Sequence, residues 1–80
     1  MNSDTEKRVR SIISKLFRLP PEGIGSNTSV DTIEKWDSLN HIKLVLALEE
    51  TFQIEFTEME IVEMMSYDLV MLTLGSKGLE

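Results

Sequence analysis

Apolar residues recur at helical spacing in two long segments of this chain, and the stretch between them holds residues that break helices. In the first segment Val9, Ile13 and Phe17 repeat at every fourth position, which marks one face of an α-helix. Two consecutive prolines, beginning at Pro20, end that helix because proline lacks the backbone donor and clashes with the preceding turn. The pattern therefore predicts a first helix followed by a long loop over residues 20–37.

The second segment begins where this loop ends. Asp37 suits the N-cap of a helix, since its short carboxylate accepts a backbone N–H and its charge matches the helix dipole. One apolar stripe of the segment faces a core and another is turned away from it. The first stripe consists of Leu44, Val45, Leu48 and Phe52, and the second of Leu39, Ile42 and Leu46. A helix that is apolar over so wide an arc buries two faces or keeps one for a partner.

The last third of the chain predicts two shorter helices. Thr57 and Glu60 have the spacing of a capping box, which indicates a short helix to about Met65. Ser66 suits the N-cap of a last helix that runs to about Gly75. The sequence contains no hairpin signal and no internal repeat. The predicted fold is all-α: a small four-helix bundle, three main helices plus one short helix, with a long first loop.

Length and composition bound the class of protein. Eighty residues, 41% of them apolar, suffice for one small domain, which we expect over residues 1–78. We interpret Leu79 and Glu80 as a remnant of an expression vector. The chain has no cysteine, which excludes disulfides and thiolate metal sites and fits a reducing, cytoplasmic compartment. No apolar run approaches the roughly 20 residues that a membrane span needs, so we expect no membrane insertion.

The net charge of −6 is unevenly distributed along the chain. Residues 1–19 hold five bases and two acids, whereas residues 20–80 hold three bases and twelve acids. An acidic surface repels nucleic acid and steers partners that present basic patches, although the same charge also serves solubility alone. We therefore expect no nucleic-acid binding. No group of residues has the spacing of metal ligands, so no metal site is expected either.

Ser38 is the strongest candidate for a functional residue in this sequence. It follows the acidic Asp37 at the start of a helix, where free backbone N–H groups favour an anion, so it suits either an N-cap or a phosphate-linked group. His41 lies one turn later, and a serine–histidine nucleophile pair has to be considered. The sequence has no Gly-x-Ser-x-Gly elbow, no clear orienting acid and no room for an oxyanion hole. We interpret His41 as a surface histidine that touches a phosphate, and we expect no catalytic residue.

This part of the chain resembles the acyl carrier proteins, through Asp37-Ser38-Leu39 and through the run Leu44-Val45-Leu46-Ala47-Leu48-Glu49-Glu50. The resemblance extends from the first helix to the last and implies the same helical arrangement. It implies that Ser38 carries 4′-phosphopantetheine, whose thiol holds acyl groups as thioesters. It also implies that Asp37 caps the helix and helps to hold the metal-bound coenzyme A during attachment.

The resemblance implies a set of partners and a docking surface. A phosphopantetheinyl transferase would modify the serine from coenzyme A, and an acyl ligase or acyltransferase and other acyl-processing enzymes would use the thiol. The expected docking residues lie on the second and third helices and are Leu39, Asn40, Ile42, Lys43, Leu46, Glu49, Glu50, Glu58 and Glu60. The expected protein is a discrete, monomeric acyl carrier of fatty-acid or related lipid metabolism, and not an enzyme by itself.

Several residues depart from the family pattern. Glu34 and Lys35 replace the common Leu-Gly step, and Trp36 stands where many members have a smaller apolar residue, either to anchor the loop or to gate the arm. Asn40 and Lys43 occupy positions that are often acidic. These departures favour an alternative, an aminoacyl or hydroxyacyl carrier of a specialised polyketide, nonribosomal or polysaccharide pathway, although the Gly-Gly-x-Ser pattern of peptidyl carriers is absent. An unmodified helical interaction domain is the alternative outside the family.

Overall fold

A computed structural model describes residues 3–78, and Leu79 and Glu80, interpreted above as a vector remnant, lie outside this range. The helices are α1 over Ser3–Phe17, α2 over Ser38–Phe52, α3 over Glu58–Glu63 and α4 over Tyr67–Ser76, with a 3₁₀ turn at Pro21–Gly23. Within the described residues no strand forms, and one isolated antiparallel bridge joins Ser29 and Ser66. The predicted all-α fold with a long first loop is confirmed.

Helix α1 ends at Phe17, close to the predicted position. Arg18 takes the left-handed conformation, with φ at 56°, and the Leu19 N–H donates to the Ser14 carbonyl at 3.0 Å. A left-handed residue followed by this longer hydrogen bond is the Schellman motif that commonly closes a helix. Pro20 then prevents the chain from resuming the helix.

The core is a single apolar cluster to which α1, α2, α4, the long loop and the residues flanking α3 contribute, and Ile61 of α3 packs against it partly buried. Burial removes these side chains from water, and the resulting hydrophobic free energy holds the helices together. Its most deeply buried members are Val9, Ile13, Phe17, Leu44, Leu48, Met64, Val70 and Leu74. The predicted core stripe of α2 is confirmed, with Phe52 only half-buried at its end.

The long loop is attached to the helices at several points. Ile24 and Trp36 are buried in the core, and the indole of Trp36 stacks on the ring of Phe17 with centroids 5.1 Å apart. The backbone of the loop pairs with the segment between α3 and α4, where the Val30 N–H donates to the Met65 carbonyl at 3.0 Å. The loop therefore holds the start of α2 and the end of α3 in a defined relation. Trp36 therefore anchors the loop, one of the two roles considered for it.

The predicted caps of the two short helices are confirmed. Thr57 and Glu60 form both hydrogen bonds of a capping box, and the Ser66 hydroxyl accepts the Leu69 N–H at 3.1 Å. Helix α3 ends at Glu63, earlier than expected, and α4 continues to Ser76, slightly later than expected. The chain leaves α3 early because the segment after it turns to pair with the long loop.

Candidate functional site

Ser38 is the first residue of α2, and its side chain is exposed. Asp37, and not Ser38, caps the helix: an oxygen of its carboxylate accepts the Asn40 N–H at 2.8 Å. Among residues 3–78 no hydrogen bond of the Ser38 hydroxyl is found. The alternative of Ser38 as a structural N-cap is therefore wrong, because its neighbour already performs that role.

The backbone around Ser38 fits a phosphate group. The first N–H groups of a helix have no acceptor within the helix. Asp37 satisfies one of them, since its carboxylate accepts the Asn40 N–H at 2.8 Å, and its carbonyl accepts the His41 N–H at 2.8 Å in the first regular hydrogen bond of the helix. The N–H groups of Ser38 and Leu39 remain at the positive end of the dipole, where they favour an anion.

A groove of about 520 Å³ opens beside Ser38, between α2, α3 and the end of the long loop. Its lining is mostly apolar and consists of Val30, Trp36, Asp37, Ser38, His41, Ile42, Ile61, Val62 and Met65. A cavity of this size that is apolar apart from a few polar groups is typical of sites that bind small organic groups. The groove thus lies where a group attached to Ser38 would reach it.

His41 is half-buried and lines this groove, and its interpretation as a surface histidine is wrong. Its Nδ1 accepts a hydrogen bond from Trp36 Nε1 at 3.0 Å, and its Nε2 donates to the Ile61 carbonyl at 2.7 Å. These two bonds require the neutral tautomer with the proton on Nε2. Neither nitrogen is left to take a proton from Ser38, so the geometry gives no support to a serine–histidine nucleophile pair.

Sequence reasoning missed this contact for a physical reason. Trp36 and His41 are five positions apart across the boundary between loop and helix, where the helical neighbour rules do not apply. Ile61 belongs to another helix, and a backbone carbonyl carries no signal in the sequence. Only the unusual presence of Trp36 next to the helix start, together with the single histidine, hinted at a special arrangement.

The predicted apolar docking residues are exposed as expected. Leu39, Ile42 and Leu46 expose 65%, 48% and 59% of their surface. Helix α3 adds Val62, which was not predicted, with 61% exposed. The face of Val62 was not assigned because α3 is too short to establish a helical period. The exposed apolar surface therefore extends from α2 across the groove to α3.

Three of the predicted polar docking residues already have partners within the chain. The side-chain amide of Asn40 donates to the Lys35 carbonyl at 2.7 Å, and the Glu49 carboxylate accepts the Phe56 N–H at 2.9 Å. Glu60 forms an ion pair with Lys77 at 2.8 Å. These contacts give each of the three residues a role in the fold. They also account for Glu49, an acid near the C-terminal end of α2, where its charge opposes the helix dipole.

The carboxylate of Glu60 has two hydrogen-bond donors that stabilise its ionised form. The hydrogen bond from the Lys77 ammonium and that from the Thr57 N–H hold the pKa of the Glu60 carboxyl below its ordinary value of 4.5. The same ammonium lies over the ring of Phe56, 5.4 Å from its centroid. Lys77, which directly follows α4, thus links the end of that helix to the first turn of α3.

The other predicted polar residues, Lys43, Glu50 and Glu58, are exposed. Within residues 3–78 no group of three or more histidine or acidic side chains could hold a metal ion. None of the helices described combines the length and the apolar character that crossing a membrane requires.

Comparisons with known proteins agree with this geometry. Residues 7–67, which include Ser38 and both walls of the groove, match the family model described as "Phosphopantetheine attachment site". The chain is also 36% identical over 56 residues to the acyl carrier protein of Buchnera aphidicola subsp. Schizaphis graminum (strain Sg), an alignment that covers 70% of this chain and 71% of that protein. The chain therefore belongs to the acyl carrier protein family, in which 4′-phosphopantetheine is the prosthetic group.

Proposed function

We propose that Ser38 is the attachment residue for 4′-phosphopantetheine and that the chain acts as a carrier rather than as an enzyme. The observation that supports this most directly is the exposed Ser38 hydroxyl at the first position of a helix that Asp37 caps. Modification of this hydroxyl breaks no hydrogen bond of the described structure. The N–H groups of Ser38 and Leu39 favour the negative charge of the phosphodiester.

The prosthetic group supplies a thiol that holds acyl groups as thioesters, and the chain supplies the position of that group. A phosphopantetheinyl transferase attaches it from coenzyme A, and an acyl ligase or acyltransferase then loads it. Asp37 is exposed and adjoins the attachment point, which supports the proposal that its carboxylate helps to hold the metal-bound coenzyme A in the transferase complex. A cytoplasmic location suits both the chain without cysteine and a group whose thiol must stay reduced.

The exposed apolar residues of α2, namely Leu39, Ile42 and Leu46, form the proposed docking surface for these enzymes. An exposed apolar patch with a polar rim is typical of protein interaction sites. Glu50 on α2 and Glu58 on α3 add acidic groups that steer partners with basic patches.

Two classes of cargo are compatible with this surface. Acyl groups of fatty-acid and related lipid metabolism follow from the family. Aminoacyl or hydroxyacyl groups of a specialised pathway are favoured by Lys43, an exposed base on the proposed docking helix that repels the basic patch of a general partner. The specialised carrier is the second candidate.

Intact mass spectrometry tests the attachment. After incubation with coenzyme A and a phosphopantetheinyl transferase, the wild type is expected to gain the mass of one phosphopantetheine group. Ser38→Ala is expected to gain none and to keep its fold. Ser11→Ala, a change at an exposed serine of α1, is the matched control and should gain the full mass. A Ser38→Ala protein that still acquires the group would refute the assignment.

A further inference from the structure

The indole of Trp36 separates the groove beside Ser38 from the core. One part of it lines the groove, while its ring stacks on Phe17, which is only 1% exposed. Trp36 itself is only 3% exposed, so its large ring fills the space beneath the groove. A chain that entered the core from the groove would have to displace this ring.

His41 fixes Trp36 in that place. It lies on α2, accepts the indole N–H of the loop residue and donates to the Ile61 carbonyl of α3. Ile61 lies near the end of the short α3, where carbonyl groups lack partners within the helix, and the Met65 N–H binds the Glu63 carbonyl instead. His41 therefore joins the three elements that surround the groove, directly beneath it.

We infer that Trp36 and His41 form the floor of the groove and confine an acyl group carried on Ser38 to the groove itself. This inference rests on the proposed attachment at Ser38. Opening the floor would unstack a buried ring and leave the Trp36 N–H and the Ile61 carbonyl without partners, which is costly in an apolar environment. The groove between α2 and α3 thus limits the length of acyl chain that the protein can shelter from water.

The apolar lining of the groove supports an acyl occupant. Val30, Ile42, Ile61, Val62 and Met65 surround most of the space with apolar side chains, and Asp37, next to Ser38, is the one charged residue of the lining. Each methylene placed there gains hydrophobic free energy until the groove is filled. Further methylenes then extend into water and gain none, because the floor prevents them from turning inward.

A series of loaded proteins tests this limit. A phosphopantetheinyl transferase is supplied with butyryl-, octanoyl- or dodecanoyl-coenzyme A, loading is verified by intact mass, and the Tm of each product is compared with that of the protein carrying the bare arm. We expect the Tm to rise with the butyryl group and to stay level between octanoyl and dodecanoyl. A chain that entered the core would instead raise the Tm by about 3–6 °C for each buried methylene.

Two variants identify the floor. His41→Ala removes both hydrogen bonds and opens space beneath the groove, and it is expected to restore a rise in Tm from octanoyl to dodecanoyl. Trp36→Leu opens the same route while keeping an apolar side chain in the core, and it provides a second reading if one variant folds poorly. Leu72→Ala is the matched control: it removes an exposed apolar side chain of α4 that does not line the groove, and it should keep the same Tm for the octanoyl and dodecanoyl proteins.

The possible outcomes distinguish the proposed attachment at Ser38 from the inferred confinement of the acyl chain to the groove. A steady rise in Tm through dodecanoyl in the wild type overturns the inference, as does a plateau that both floor variants share with the wild type. If the wild type acquires no mass, the attachment at Ser38 fails and the inference fails with it. A verified mass gain followed by a steady rise overturns the inference alone.

Discussion

The two sides of helix α2 are held in place by different kinds of contact. On the core side, side chains such as Leu44 and Leu48 are fully buried in the apolar cluster. The other side of α2 faces α3 and includes Ser38. There, individual hydrogen bonds made by Asp37 and His41 determine the position of the start of α2 relative to α3. Apolar packing is non-directional and supplies most of the stability, whereas hydrogen bonds fix positions and contribute less. Substitutions on the two sides should therefore separate stability from function.

The largest expected effect comes from comparing two leucines of α2. Leu48 is 0% exposed and Leu46 is 59% exposed. Leu48→Ala is expected to lower the free energy of unfolding by about 2–5 kcal/mol, because it leaves a cavity in the core. Leu46→Ala should change it by about 0.5 kcal/mol or less while reducing kcat/KM of the transferase. Denaturant unfolding and transferase kinetics measure both, and equal losses of stability in the two variants would break the comparison.

The start of α2 provides the next largest effect. Asp37→Ala removes the helix cap and is expected to cost about 1 kcal/mol of stability. Ser38→Ala removes an exposed hydroxyl that is not part of the cap, and the cost should stay within about 0.5 kcal/mol. Thermal or denaturant unfolding of the two variants distinguishes the roles. A greater loss for Ser38→Ala than for Asp37→Ala would mean that the cap has been assigned to the wrong residue.

Charge steering at the docking surface should have a smaller effect. Glu50→Lys is expected to lower kcat/KM of the transferase up to about fivefold, and the wild-type rate should fall as salt is raised, because exposed charges are screened. Lys43→Glu should increase the rate of a general fatty-acid synthase enzyme by a similar factor. Glu49 and Asn40 are poor choices for this test, since changing them would break hydrogen bonds within the chain. Rates that do not respond to salt or to either variant would contradict the proposal.

The smallest expected effect is the dependence of stability on pH at the contact between α3 and α4. Because the pKa of Glu60 is lower in the folded protein than in the unfolded chain, its ionised form stabilises the fold above about pH 4.5. This contribution should be lost as the pH falls through the lower, folded value. Unfolding of the wild type and of Glu60→Gln between pH 6 and 3 should show a steeper loss for the wild type. Parallel curves would show that the ion pair with Lys77 contributes nothing measurable.

The helix starts could be predicted from the sequence because their causes are local. Asp37, Thr57 and Ser66 each bind a backbone N–H three positions further on, and side chains at that spacing are visible in the sequence. The end of α3 could not be predicted, since Met65 is drawn into a pairing with Val30 of the distant loop. Contacts between residues a few positions apart can be recognised from short sequence patterns, whereas pairings between distant segments cannot.

The sequence by itself determined the all-α class, the exposed stripe of α2 and the placement of Ser38 at a helix start, because periodicity, caps and turn breakers act over a few residues. Only the tertiary structure decided that Glu49 and Asn40 serve the fold and that His41 bridges Trp36 and α3. These contacts join atoms of different elements, and two of the acceptors, on Lys35 and Ile61, are backbone carbonyls, a group that every residue possesses. Their existence depends on how the helices pack, and that packing places the groove beside Ser38.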